Sequence, residues 1–220
     1  MPMSPAAGGF ATQRFEYDGG RQATVYVPPD PAESVVFAAD GAWHIAPLSK
    51  ALTRAGATST MIVGVHGLTD DQARLEEYSP PFNAERFAAH EKFFVEDVRR
   101  RVGSEYGLVL DAEHTAVWGA SIGGELALAL GIRHPDVYGA VLCASPGAGY
   151  RPPEAMPPRL PRAYLVAGTQ EPFFLKNATR WALALRGAGA DVALAERAGS
   201  HGGAFWAEEF PLMAKWAFGR

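Results

Sequence analysis

The segment around Ser121 has the residue types and spacing of an activated serine. It reads Gly119-Ala120-Ser121-Ile122-Gly123, a G-x-S-x-G pattern between an apolar run that predicts a strand and a run that favours a helix. A serine in so sharp a turn needs neighbours without colliding side chains, and the two glycines meet that need. The N-terminus of the following helix favours negative charge at the hydroxyl. The pattern predicts nucleophilic chemistry at Ser121.

A serine hydroxyl needs a general base, and His201 is the histidine best placed to supply it. It follows the last predicted strand, in a glycine-flanked loop at residues 197–203. The order serine, acid, histidine along the chain is the one that this strand–turn–helix context requires. His134 is instead expected to cap a helix end, and His90 to lie on the solvated face of a long helix. The sequence therefore predicts that His201 accepts the proton of Ser121.

The acid that orients the histidine should follow the predicted strand at residues 162–167. Glu171 lies there, in Gly168-Thr169-Gln170-Glu171-Pro172, and is the candidate for this role. The same carboxylate precedes a helix, where it could instead cap unpaired N–H groups. Asp191, at the start of the next strand, is a weaker substitute. Both interpretations of Glu171 stay open at the level of sequence.

An oxyanion formed during attack on a carbonyl needs two N–H donors. One is the N–H of Ile122, directly after the nucleophile, and the other should come from the loop after the first core strand. That loop reads Asp40-Gly41-Ala42-Trp43-His44. Gly41 is the expected second donor, because a residue without a side chain allows close approach, and Ala42 is its alternative. A plain β-turn is the structural alternative for this loop.

The elements that must position these residues follow from the apolar pattern of the chain. Its 220 residues are 48% apolar, enough for one sizeable core in a single domain spanning residues 1–220, with residues 1–11 as a flexible N-terminus. Residues 12–17 and 22–27 predict an antiparallel hairpin. The apolar runs that follow alternate with helix-length segments, which indicates a three-layer α/β sandwich around a mostly parallel sheet. The predicted strand runs are 35–39, 61–65, 115–118, 140–144, 163–167 and 192–196, and the predicted helices are 47–54, 84–102, 122–133, 173–186 and 204–217.

Two long connections, residues 66–83 and 145–161, should emerge at the carboxyl ends of the strands, where ligands bind in open α/β sheets. We expect them to wall an open cleft. Neither is long enough to fold as a separate lid domain.

Composition and charge narrow the function classes. A net charge of −4 lacks the basic footprint of a protein that binds nucleic acid or an anionic membrane. No window reaches the roughly 18 apolar residues of a membrane span, and no targeting segment is evident, so the expected location is the cytoplasm. The lone cysteine, Cys143, excludes an intramolecular disulfide and a cysteine-based zinc cluster. We expect no metal and no cofactor, and the sequence leaves the oligomeric state open.

Several segments together resemble the enterochelin-esterase (Fes-like) esterases of the α/β-hydrolase superfamily. The resemblance runs from about residue 25 to residue 216 and includes the segments 40–43, 63–65, 74–78, 119–124, 144–146, 168–172 and 199–201 with Trp206. It implies an α/β-hydrolase sandwich, with Ser121 and His201 as nucleophile and base. Arg74 and Glu77 match an R-x-x-E loop beside the active site. The candidate substrate-binding positions are accordingly Asp40, Ala42, Trp43, Arg74, Glu77 and Trp206.

The leading hypothesis is a serine esterase that opens a carboxylic ester or lactone through an acyl-enzyme. Its partner would be a small-molecule ester: a catecholate trilactone of a siderophore, a feruloyl or acetyl carbohydrate ester, or a secondary-metabolite lactone. An acyltransferase or cyclase would use the same acyl-enzyme with an alcohol or amine as acceptor. A catalytically silent binding module that retains the fold is the third hypothesis.

Overall fold

The computed structural model describes residues 7–219 as a sheet of eight strands covered by helices on both faces. The strands are β1 Phe10–Arg14, β2 Gln22–Tyr26, β3 Ser34–Ala38, β4 Thr60–Val65, β5 Thr115–Ala120, β6 Ala140–Ala144, β7 Arg162–Gly168 and β8 Val192–Arg197. The helices are α1 Gly41–Arg54, α2 Asp71–Tyr78, α3 Ala84–Lys92, a π-helical stretch Phe93–Val98, α4 Arg99–Tyr106, α5 Ile122–Arg133, α6 Pro172–Gly187 and α7 Gly203–Phe218.

The sheet has the strand order β1-β2-β4-β3-β5-β6-β7-β8. Strands β3 to β8 run parallel to one another, whereas β1 and β2 form an antiparallel hairpin whose second strand pairs antiparallel with β4. The predicted α/β-hydrolase sandwich with its N-terminal hairpin is thereby confirmed. Of the expected flexible segment 1–11, residues 1–6 lie outside the described residues, and Phe10 and Ala11 pair with β2 as part of β1.

The core is divided by the sheet into two layers, because alternate side chains of each strand point to opposite faces. Phe37 of β3 faces the layer formed by the helical segment 84–106 together with α5 and α6, and Val36 faces the layer formed by α1 and α7. Both side chains are fully buried. Strands covered on both faces read as continuous apolar runs, which is why the sequence marked them clearly.

Two elements begin earlier than the sequence predicted or were not predicted at all. Helix α1 starts at Gly41 rather than at residue 47, because Asp40 adopts a left-handed φ of 55° that turns β3 directly into the helix. Helix α2 lies within the connection 66–83 that was expected to be a loop. Its start is marked by Asp70, whose side chain accepts a hydrogen bond from the Ala73 N–H at 2.8 Å, as an N-cap residue does.

The expectation for His90 was wrong. Its side chain is fully buried, with its ring stacked on Tyr78 at a centroid distance of 5.4 Å and close to Phe93 and Phe94. The π-helical stretch begins at Phe93 and interrupts what was expected to be one regular helix. Such a stretch changes the face that neighbouring residues present, and a regular helical wheel cannot anticipate that change.

Among residues 7–219 no helix combines the length and the apolar character needed to cross a membrane. Within the same residues, His, Cys, Asp and Glu side chains form no group of three arranged to hold a metal ion.

Candidate active site

Ser121 occupies a strained turn between β5 and α5. Its backbone has φ 56° and ψ −123°, a conformation that costs energy in a residue with a side chain and that clusters at functional sites. A Cβ on Gly119 would lie 1.8 Å from the carbonyl oxygen of Gly123, so the turn closes only with glycine there. The Ser121 N–H donates to the carbonyl of Ala144 at 3.1 Å, which ties the turn to the next strand.

His201 reaches Ser121 from the loop between β8 and α7. Its Nε2 lies 3.1 Å from the Ser121 Oγ, and its Nδ1 lies 2.6 Å from the Glu171 Oε2. Because a carboxylate only accepts hydrogen bonds, Nδ1 carries the proton and Nε2 presents its lone pair to the hydroxyl. The imidazole ring is stacked on the Phe174 ring, with 3.8 Å between the ring centroids, and is perpendicular to the Trp206 ring, with 4.8 Å between the centroids. These two ring contacts restrict the orientation of the imidazole.

Glu171 is buried at 5% exposure and lies in the turn after β7. Its Oε1 accepts hydrogen bonds from the Gly168 N–H and from the Ser145 Oγ, both at 2.6 Å. Among the described residues its side chain makes no capping hydrogen bond to α6, so the carboxylate points at His201 and away from the helix. The alternative acid, Asp191, lies directly before β8, at the end of that strand away from His201. It pairs instead with Arg162 at 2.8 Å.

The two expected oxyanion donors lie at neighbouring helix N-termini. Gly41 is the first residue of α1 and Ile122 the first of α5, and the first N–H groups of a helix have no intrahelical acceptor. The termini approach each other because β3 and β5 are adjacent, and a Cβ on Gly123 would lie 3.0 Å from the Asp40 Oδ2. Ala42 follows on the exposed first turn of α1.

Gly41 meets a second requirement that the sequence did not show. A Cβ at this position would lie 2.1 Å from the carbonyl carbon of Gly64 in β4. The absence of a side chain therefore lets α1 start directly against the sheet, in addition to any approach of a ligand.

Asp40 and Arg74 form a two-point ion pair beside these helix termini. Arg74 donates from Nε to Oδ1 at 2.8 Å and from Nη2 to Oδ2 at 2.5 Å. Burial opposes the charge of Arg74, but the hydrogen bonds and charge of Asp40 raise its pKa above the usual arginine value. Its guanidinium also lies over the rings of Trp43 at 5.7 Å and Tyr78 at 5.1 Å. The pair neutralises a carboxylate that would otherwise oppose negative charge at the neighbouring α5 terminus.

Of the remaining candidate substrate-binding residues, Trp43 is exposed, whereas Glu77 and Trp206 are buried. Trp43 is 51% exposed at the start of α1. Glu77 is fully buried and bound by Arg21, whose Nη2 lies 2.7 Å from Oε1 and whose Nη1 lies 3.0 Å from Oε2, so the expectation that it contacts substrate is corrected: it joins α2 to the N-terminal hairpin. Trp206 is 8% exposed and packs against His201.

Two buried polar residues near the site were missed as functional candidates. Ser145, after β6, bonds Glu171 as described above. Glu125 of α5 accepts the N–H groups of Gly149 and Tyr150 at 2.9 and 2.8 Å, and burial raises its pKa despite these hydrogen bonds. A polar residue directly after a buried strand, and a lone acid in the apolar helix α5, were the signals available in the sequence.

The fold of this chain is similar to those of several solved esterase structures. Among solved structures, the chain is similar to an enterobactin esterase from Shigella flexneri determined in the presence of enterobactin, with a TM-score of 0.79 and 18% identity over 98% of this chain and 60% of that one. It is similar to a ferulic acid esterase with a TM-score of 0.74 and 16% identity over 97% and 98%. An S-formylglutathione hydrolase from Staphylococcus aureus gives a TM-score of 0.74 and 12% identity over 96% and 98%.

At these identities the likeness establishes a shared fold, and the chain spans about 60% of the length of the enterobactin esterase. A search of curated proteins gave no match. The family model described as "Putative esterase" matches residues 17–216, which confirms the resemblance to enterochelin-esterase-like enzymes. Because that match covers almost the whole chain, the protein belongs to this esterase family, the carboxylic ester hydrolases built on the α/β-hydrolase fold.

Proposed function

We propose that this protein is a serine esterase that hydrolyses carboxylic esters or lactones through an acyl-enzyme. The observation that carries the proposal is the continuous hydrogen-bonded path from the Ser121 Oγ through His201 to the Glu171 carboxylate, with distances of 3.1 and 2.6 Å. The strained turn at Ser121 and the two adjacent helix N-termini complete the arrangement that acyl transfer needs.

The reaction follows from the positions of these groups. The Ser121 Oγ attacks the ester carbonyl while His201 Nε2 accepts its proton, and Glu171 stabilises the imidazolium that forms. The developing oxyanion accepts hydrogen bonds from the N–H groups of Ile122 and Gly41, with Ala42 as the alternative to Gly41. Collapse breaks the C–O bond, and His201 returns its proton to the departing alcohol. Water then attacks the acyl-enzyme with His201 again as base, which restores the Ser121 hydroxyl.

The substrate in this proposal is a small-molecule ester that reaches Ser121 beside the start of α1, where Trp43 is exposed. A catecholate trilactone of the siderophore type and a feruloyl ester are the leading candidates, since similar folds occur in an enterobactin esterase and a ferulic acid esterase. The ferulic acid esterase matches this chain over nearly its full length, whereas the enterobactin esterase carries a further portion with no counterpart in this match.

The test is an ester panel assayed with the wild type and with Ser121→Ala. The panel contains a short-chain chromogenic ester, a feruloyl ester and a catecholate trilactone. Hydrolysis by the wild type, with loss of at least about 10³-fold in Ser121→Ala, is expected from removal of the nucleophile. Ser104→Ala, on helix α4, is the matched control and should retain full activity. Unchanged turnover in Ser121→Ala would exclude Ser121 as the nucleophile.

Two further measurements separate the alternatives. Rapid labelling of Ser121 by a fluorophosphonate, located by mass spectrometry, is expected for an activated serine, whereas absence of labelling would favour a silent binding module. Product analysis with added alcohol or amine acceptors distinguishes hydrolysis from transfer. Transfer that outpaces hydrolysis would reassign the protein as an acyltransferase.

A further inference from the structure

Ser145 is bonded to the carboxylate that binds His201, and its hydroxyl takes no direct part in the proposed reaction. It follows β6 and is fully buried. Its Oγ lies 2.6 Å from the Glu171 Oε1 and 2.9 Å from the Trp206 Nε1. A buried hydroxyl with two polar partners has a determined hydrogen-bond direction, and here the direction follows from the partners' chemistry.

The indole N–H of Trp206 can only donate a hydrogen bond. The Ser145 oxygen must therefore accept at that contact, and its single proton is left for Glu171. Glu171 Oε1 then accepts hydrogen bonds from the Ser145 hydroxyl and from the Gly168 N–H. Its other oxygen remains for His201. The indole thus orients a hydroxyl, the hydroxyl orients a carboxylate, and the carboxylate orients the imidazole.

The backbone of Ser145 supports a role for its side chain. Its φ is 48°, a left-handed value at which residues with a side chain are uncommon and glycine is favoured. The conformation is held by the Ser145 N–H, which donates to the carbonyl of Val166 at 2.7 Å. A serine held in a conformation that suits glycine is consistent with a requirement for its hydroxyl.

We propose that Ser145 is a positioning residue that, oriented by Trp206, holds the Glu171 carboxylate in the plane of the His201 imidazole. The proposal rests on the proposed serine-esterase function of the same site. Its contribution is expected in kcat rather than in KM, because its hydroxyl is fully buried and acts through the carboxylate that orients His201.

The first test compares Ser145→Ala with Ser145→Gly. Both remove the hydroxyl, but glycine also relieves the left-handed backbone, so the pair separates side-chain from backbone effects. For both variants we expect kcat to fall about 10- to 100-fold, the size of a lost hydrogen bond to a charged group, with KM unchanged. Wild-type kcat in Ser145→Gly, with the melting temperature retained, would overturn the proposal.

The second test is a double-mutant cycle with Glu171→Ala. If Ser145 acts through Glu171, Ser145→Ala should reduce kcat by less than about 2-fold once the carboxylate is absent. Independent, multiplicative losses would show that Ser145 acts elsewhere and would overturn the proposal. Ser49→Ala, at a buried serine in α1 whose Oγ donates to the Ala46 carbonyl, is the matched control and should leave kcat unchanged in both backgrounds.

The third test does not depend on ester hydrolysis. The proton shared by His201 Nδ1 and Glu171 is expected to give a strongly downfield NMR resonance in the wild type. Ser145→Ala and Trp206→Phe should shift or broaden it, and an unchanged resonance in both would overturn the proposal. A wild type that shows this behaviour but hydrolyses no ester would refute the proposed function alone. A wild type that hydrolyses esters while both variants match it in kcat would refute only the role of Ser145.

Discussion

The guanidinium of Arg74 donates two hydrogen bonds, of 2.8 and 2.5 Å, to the carboxylate of Asp40 beside the N-terminus of the helix that begins after Ser121. Asp40 is 1% exposed and has a left-handed backbone, so its position is determined by its surroundings. Unpaired, its charge would oppose an oxyanion forming at the adjacent helix terminus. The ion pair therefore holds Asp40 at the start of α1 and also neutralises its charge beside the site.

Replacement of Arg74 by methionine should impair catalysis more than binding. We expect kcat to fall about 10- to 100-fold and the protein to be destabilised by about 3 kcal/mol, because a buried carboxylate loses its partner. The double variant Arg74→Met with Asp40→Asn should recover part of both losses. Arg100→Met, at a side chain 71% exposed, is the control. Steady-state kinetics and urea unfolding report the two effects, and unchanged kcat in Arg74→Met would contradict the electrostatic role.

Replacement of Glu171 by glutamine tests whether its carboxylate orients His201 or caps α6. Because the side chain bonds His201 and not the helix, we expect kcat to fall about 10²- to 10⁴-fold with a small change in stability. Asp191→Asn, at the alternative acid beside Arg162, should leave kcat unchanged. A large loss of thermal stability with kcat retained would instead support the capping role.

Replacement of Gly119 by alanine should destabilise the fold by about 3 kcal/mol, since overpacking against rigid backbone is costly. The new Cβ would lie 1.8 Å from the Gly123 carbonyl oxygen, which no side-chain rotation relieves. Gly187→Ala is the matched control, because a Cβ at that position would meet no atom within 4 Å apart from its chain neighbours and the backbone of its own helix. Urea unfolding of the two variants compares the costs, and equal stabilities would contradict the close packing of the turn.

The buried His90 should make the protein less stable as the pH falls. Burial, followed by the charges of Arg21 and Arg86, lowers its pKa from 6.5 to about 3, and both ring nitrogens lack a hydrogen-bond partner among residues 7–219. Between these two values the unfolded chain binds a proton that the folded chain does not. His90 therefore adds no pH dependence to the free energy of unfolding above about pH 6.5. Below that pH, the free energy of unfolding falls by up to about 1.4 kcal/mol per pH unit.

Urea unfolding between pH 7 and pH 4.5 measures this decline. In His90→Phe the slope should become shallower, because the proton-binding difference is gone. His114→Phe, at a side chain that is 43% exposed, should alter the slope much less. An equal slope in His90→Phe and the wild type would show that another group causes the decline.

The sequence predicted the parts of this protein that depend on local pattern. The strands buried on both faces appear as apolar runs, and the turn at Ser121 appears as glycines spaced two residues on either side of it. The position of His201 after the last strand followed from chain order. These signals are short-range, because sterics and side-chain alternation act on neighbouring residues.

Only the tertiary structure decided how residues far apart in the chain are paired. It showed Glu171 pointing to His201 rather than to α6, Arg74 bound to Asp40, and Glu77 buried against Arg21 instead of exposed to a substrate. A carboxylate before a helix fits both a cap and an orienting acid, and the direction of its side chain depends on packing that no single segment contains. The same holds for Ser145, whose partners lie 26 and 61 residues away along the chain. The glycine pattern predicted Ser121 as the nucleophile and chain order predicted His201 as the base, whereas the contacts that orient these two side chains exist only once the strands are side by side.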